Sequence, residues 1–241
     1  MLSLFRREQP ATIDWQNRFA ELAAESRVTL LRDFYRQAAV AADTPLARTP
    51  LIALDLETTG LNPGRHGIVS IGAVPFALDR IRPAAGWYRV VRPRRKIDEH
   101  SITIHRITHD EVDRAPDLAE IAEEFLNTLA GRVAVVHFHA IERRFLYQAF
   151  LRRFGEGLLF PLIDTLQAEK RVQQRRALDL RAWLFGRRRA SLRLADARRR
   201  YGLPEYAPHH AWTDALATAE LFQAQVGYHG GPEEPVSKWW L

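Results

Sequence analysis

The stretch "LIALDLETTGLNPGRHGIVSIGAV", residues 51–74, decides the fold. Its first seven residues alternate as a β-strand does, with successive side chains on opposite faces. Thr58, Thr59 and Gly60 then turn the chain, and "GIVSIGAVPFAL" (67–78) supplies a second strand. Asp55 and Glu57 stand two apart near the end of the first strand, so both carboxylates project from one face. Such a pair repels unless a cation lies between them. Taken alone, it fits a divalent-metal site and equally a strand end carrying solvated acids.

Working outward, "GWYRVVRP" (86–93) reads as a third strand and completes a β-meander. Upstream, "DTPLARTP" (43–50) carries two prolines and reads as a linker. Before it, Trp15, Phe19, Leu22, Val28, Leu31 and Phe34 fall near one helical face, which predicts a helix over 12–42. Downstream the elements alternate: helix 117–131 ended by a glycine, buried-type strand 132–138, helix 142–155 and short strand 160–165. Helices follow at roughly 165–184, 191–200 and 211–226. The tail "GGPEEPVSKWWL" reads as loose at its start. Antiparallel strands followed by alternating helices and strands imply an α/β fold, a mixed five-stranded sheet flanked by helices, with an N-terminal helical extension.

The 241 residues suffice for one sizeable domain with an appendage, and 46% hydrophobic residues support a packed core. There is no cysteine, which excludes disulfides and thiolate metal sites. Any metal is therefore held by carboxylates, histidines, backbone or water, which favours Mg²⁺ or Mn²⁺. The N-terminus lacks a secretory apolar segment and no apolar run approaches a membrane span, so the expectation is a cytoplasmic protein without a membrane partner. Net charge is +6, and arginine dominates: lysine occurs only at 96, 170 and 238. Basic clusters at 92–96, 171–176, 186–189 and 197–200 suit a polyanion such as nucleic acid.

Two further stretches bring acids to helix starts. "HHAWTD" (209–214) sets a histidine before a helix and Asp214 in its first turn. In "VVHFHAIERRFL" (135–146) an apolar strand stops at His137 and His139, and Glu142 opens a helix. Each acid alone also suits a helix N-terminus electrostatically. Together, four carboxylates at one sheet edge cannot all ionise without about two divalent cations, the arrangement used for phosphodiester cleavage. A histidine beside them can serve as general base.

The ordered set resembles the DEDDh 3′→5′ exonucleases, relatives of the epsilon proofreading subunit of bacterial replicative polymerase, of ribonuclease T and of oligoribonuclease. The likeness runs over about residues 49–226 and includes "LDLETTG", "ITIHRIT" (102–108), "IDTLQAEK" (163–170) and "HHAWTDALATAELF". It implies a ribonuclease H-like fold, a domain over 49–228 between the extension (1–48) and a tail (229–241), and two divalent ions, Mg²⁺ or Mn²⁺. Asp55, Glu57 and Asp214 match metal ligands. His209 matches the general base, five before Asp214, whereas helical spacing alone favours His210, four before it. Thr58, Ile104 and His105 match positions that hold the terminal nucleotide, and Leu61 and Ile141 could flank its base.

The second motif of the family resembles V-x-H-N-x-x-F-D, and here it reads V-V-H-F-H-A-I-E. Phe138 replaces the usual asparagine, Ile141 the phenylalanine and Glu142 the aspartate. The extra methylene extends the carboxylate by ~1.3–1.5 Å, which bears on the second metal because Mg²⁺ demands strict geometry. His137 matches a family position, whereas His139 has no counterpart and reads as a surface histidine. "MLSLF" (1–5) resembles the bacterial sliding-clamp-binding pentapeptide. The expectation is release of nucleoside monophosphates from 3′ ends of single-stranded or mispaired DNA. The alternatives are an exoribonuclease and a catalytically weakened nucleic-acid-binding accessory protein.

Overall fold

Strand β1 (Leu51–Thr58) lies at the centre of the molecule, with Ile52, Ala53 and Leu54 fully buried. The structure, a computed structural model, describes residues 13–94, 107–177 and 190–241. Strand β2 (Ile68–Phe76) pairs antiparallel with β1, and β3 (Trp87–Val90) antiparallel with β2. On the other side, β4 (Val133–Val136) runs parallel to β1, and β5 (Leu162–Asp164) parallel to β4. The order β3-β2-β1-β4-β5 is the mixed five-stranded sheet expected of a ribonuclease H-like α/β fold. Because β1, β4 and β5 are parallel, the loops leaving their C-terminal ends gather at one edge, where ligands of α/β sheets bind.

The N-terminal segment differs from a single helix. Helix α1 (Trp15–Glu25) ends at Ser26 and α2 (Thr29–Arg36) follows. The break has a tertiary cause: Ser26 Oγ donates to Glu156 Oε2 at 2.6 Å, and the Arg27 amide to Oε1 at 2.8 Å. Phe19 packs against both Phe34 and Tyr35, and these rings join the same apolar core as the strands.

Helix α3 (His109–Arg114) was not predicted from the sequence. Its signal is a capping box, in which Thr108 and Glu111 satisfy each other's backbone N–H groups. The same device, Asp117 with Glu120, starts α4 (Leu118–Leu129). Helix α5 (Ala140–Phe154) begins two residues earlier than predicted and ends at Gly155, φ +82°. Helices α6 (Thr165–Ala177), α7 (Leu194–Arg200) and α8 (Ala211–His229) complete the chain, α8 packing on β1 and β2.

The tail is docked rather than loose. The amides of Leu46 and Ala47 donate to the carbonyls of Glu234 and Pro232, and the Leu241 amide to Leu162 of β5. Val236 is fully buried and Trp240 nearly so, which anchors the strand-like end against the sheet edge. No helix among the described residues is long and apolar enough to cross a membrane. The predicted contacts at Ile104 and His105, and the pentapeptide 1–5, lie outside the described residues.

Candidate active site

Strand geometry sets Asp55 and Glu57 on one face of β1, and a glycine opposite lets a third acid reach them. Asp55 pairs across the sheet with Gly72 of β2. A Cβ at position 72 would fall on the carbonyl of Ala211 and the amide nitrogen of Trp212. Gly86 likewise leaves room for the Trp212 indole. The first turn of α8 therefore lies directly on the sheet beside Asp55, and that turn carries Asp214. Carboxylate oxygens of Asp55, Glu57 and Asp214 come within 4.8 Å of one another. Neither glycine was singled out from the sequence, since only the fold shows what approaches them.

Glu142 lies outside that trio. It stands in the first turn of α5, 2% exposed, and its Oε2 has no hydrogen-bond partner. It still acts on the trio through its field. Burial raises the Asp55 carboxyl well above its ordinary value, and Glu142, then Asp214 and Glu57, push it further. Glu142 itself is raised well above the usual range, first by burial and then by Asp164. Asp214 is raised as well, by burial and by Glu57. A cluster of hard oxygen donors that resist ionisation, with one buried oxygen unpartnered, suits divalent cations.

The histidines separate clearly. His210 is the N-cap of α8: its Nδ1 accepts from the Thr213 amide at 3.4 Å, and its ring stacks on Tyr88 with centroids 4.7 Å apart. His209 is exposed and left-handed, φ +68°, with its amide donating to Asp214 Oδ2 at 2.8 Å. His137 Nε2 donates to the Leu192 carbonyl at 2.8 Å, and Nδ1 lies 2.8 Å from Thr165 Oγ1. Burial lowers its pKa, against the raising effect of the Leu192 carbonyl.

His139 is not the surface histidine expected. Its Nδ1 lies 2.7 Å from Asp164 Oδ2, and the Asp164 side chain is fully buried at the end of β5. Asp164 also accepts the amides of Phe138 (3.0 Å), His139 (3.1 Å) and Leu166 (2.8 Å). Burial alone would raise its pKa, but these donors hold it below the ordinary value. Sequence reasoning quoted this aspartate only within "IDTLQAEK" and gave it no role, although it builds the corner from which α5 and Glu142 start.

Of the remaining predicted residues, Thr58 ends β1 with its hydroxyl donating to the Gly60 carbonyl at 3.0 Å. Leu61 is 81% exposed on the loop after β1, and Ile141 is partly buried in the first turn of α5.

A family model described as "Exonuclease" (RNase_T) matches residues 52–222. A "DNA polymerase III subunit epsilon-like protein" of Rhodobacter capsulatus is 33% identical over 183 residues, 75% of this chain but 24% of that protein. The DNA polymerase III subunit epsilon of Escherichia coli is 28% identical over 186 residues, covering 75% of this chain and 73% of that one. Among solved structures, the nuclease domain of 3′hExo, a DEDDh family member bound to rAMP, superposes with a TM-score of 0.61. That match covers 81% of this chain and 96% of the other at 16% identity, a likeness of fold. The chain thus spans about a quarter of the first of these relatives. The family model covers every acid of the site, and the chain belongs to this exonuclease family.

Proposed function

We propose that this protein is a metal-dependent exonuclease that releases nucleoside monophosphates from the 3′ end of DNA, at single-stranded or mispaired ends. The observation that carries this reading is the trio Asp55, Glu57 and Asp214, within 4.8 Å, inside the matched exonuclease region. These three carboxylates would hold one divalent cation, Mg²⁺ or Mn²⁺, and Glu142, whose Oε2 has no hydrogen-bond partner, would contribute to a second. When bound, such a pair supplies positive charge and Lewis acidity for the attacking and leaving oxygens of a phosphodiester.

The chain's own groups do the rest. His209 takes the proton of the attacking water at its imidazole. Asp214 receives the His209 amide and so ties the base to the carboxylates. His210 is unsuited to that role because its ring caps α8 and stacks on Tyr88. Thr58, with Ile104 and His105, holds the terminal nucleotide, and Leu61 and Ile141 flank its base.

DNA is preferred because the relatives of highest identity cited above are DNA polymerase III epsilon proteins. Trimming of RNA is the second reading, favoured by the likeness to a nuclease domain bound to rAMP. Purified protein incubated with 3′- and 5′-labelled DNA and RNA oligonucleotides, in Mg²⁺, Mn²⁺ or EDTA, decides among the readings. Stepwise shortening from the 3′ end of DNA, abolished by EDTA, is expected. Faster shortening of RNA supports the second reading, and binding with no shortening leaves a nucleic-acid-binding accessory protein.

A further inference from the structure

We propose that Phe138 is a stacking platform for an unpaired nucleobase of the substrate strand and thereby a specificity-determining residue of the site; this rests on the nuclease reading. Phe138 follows β4, whose parallel neighbour β1 carries Asp55 and Glu57, so it stands on the same sheet edge as the carboxylates. It is four residues before Glu142. Two features of it are individually unfavourable. Its backbone is left-handed, φ +86°, a conformation that bulky side chains rarely adopt. The residue is 45% exposed although large and apolar.

The conformation is imposed from beneath. The fully buried Asp164 carboxylate accepts the Phe138 and His139 amides and the His139 ring, which holds the corner in place. The other non-glycine residue with a left-handed backbone among the described residues is His209, itself in the site. Backbone strain of this kind concentrates at functional sites. An exposed aromatic residue whose backbone is fixed at the sheet edge that carries the carboxylates, in a chain of net charge +6, has the chemistry of a base-stacking surface in single-strand binding. Leu61, 81% exposed on the loop leaving β1, is the apolar group on the neighbouring strand end. Stacking is sequence-tolerant because every base has a π-face, so the platform selects unpaired ends over duplex ends rather than one base over another.

The substitution Phe138→Asn separates this role from a structural one, because asparagine tolerates the left-handed backbone. Kinetics are measured on single-stranded oligonucleotides, intact or carrying one abasic site at each of the last four 3′ positions, alongside thermal melting. The expected result is a melting temperature at or above the parent, with KM raised about 5- to 150-fold and kcat little changed. The parent loses affinity at one abasic position, and the Asn variant is indifferent to that position; Phe138→Trp restores the parental pattern. An Asn variant with parental KM and an unchanged abasic profile overturns the assignment, as does one whose only defect is a lowered melting temperature. A parent that shortens no oligonucleotide overturns the nuclease reading itself, whereas an active parent matched by its Asn variant removes the Phe138 platform alone.

Discussion

The amide of His209 donates to Asp214 Oδ2 across 2.8 Å, with His209 in the left-handed region at φ +68°. The proposed base and a proposed metal ligand are therefore joined by one hydrogen bond through a turn that also starts α8. His210, the next residue, faces another task as N-cap and stacking partner of Tyr88. Adjacent histidines are thus set to different tasks by the backbone that carries them.

Alanine at each histidine should separate the two roles. His209→Ala is expected to lower kcat by roughly 10²–10⁴-fold with little change in stability. His210→Ala is expected to keep turnover within a few-fold and to cost about 0.5–2 kcal/mol through the lost cap. Steady-state kinetics and urea midpoints on both variants check this, and the reverse pattern would assign the base to His210.

Gly72 is predicted to tolerate no side chain. A Cβ there meets backbone atoms of Ala211 and Trp212, which cannot rotate away as a flexible side chain could. Gly72→Ala should cost about 1–3 kcal/mol, shift α8 outward and separate Asp214 from Asp55. Calorimetry should show weakened Mn²⁺ binding together with a lowered denaturant midpoint. Unchanged Mn²⁺ affinity would mean that the trio does not depend on this close approach.

The pH dependence of the metal-free protein follows from three raised carboxyls. Asp55, Glu142 and Asp214 hold protons in the folded state that the unfolded chain has already released. Over that window the folded state binds more protons, so stability falls as pH rises. His137 works in the opposite sense, since its lowered pKa costs stability below about 6.5, its ordinary value. The two effects oppose each other below that point. In EDTA the melting temperature should fall as pH rises above the ordinary carboxyl values of 3.8 and 4.5, and saturating Mn²⁺ should remove most of the fall. A flat profile in EDTA would contradict the raised values.

Glu142→Gln tests the same electrostatics at one residue. It removes the strongest carboxylate perturbation of Asp55 and a buried carboxyl whose Oε2 has no hydrogen-bond partner. The metal-free variant should melt higher than the parent with a shallower pH slope, while turnover falls at least about 10²-fold if this oxygen serves the second ion. Retained turnover would show that Glu142 is dispensable for catalysis.

Asp164→Ala should be the most destabilising substitution at this sheet edge. It strands three part-buried amides and the His139 ring, a loss of about 3–5 kcal/mol. His139→Ala removes one of those donors and should cost about 1–3 kcal/mol. Chemical denaturation gives both values, and equal losses would mean that the His139 contact, not the amides, dominates.

Much of this architecture is legible in short-range pattern. The alternation in "LIALDLE" is enough to predict β1 and to put Asp55 and Glu57 on one face, because strand period is a local property. The strand and helix alternation downstream implied the mixed sheet for the same reason. The break at Ser26 escaped local reading because a carboxylate 130 residues away satisfies it. The docked tail escaped it because apolar residues near a terminus become buried only when a sheet edge is there to receive them.

The sequence by itself determined which side chains are candidates for the chemistry: two acids two residues apart on a strand, an acid at each of two helix starts, and paired histidines before the last helix. Tertiary structure alone decided how they meet. It placed α8 against the bare backbone of Gly72, so that three acids converge and Glu142 stands beside them. It engaged His210 as a cap and bent Phe138 outward over Asp164. The physical reason is range: strand and helix periods act over a few residues, whereas close backbone approach, burial and the field among carboxylates exist only once distant segments pack.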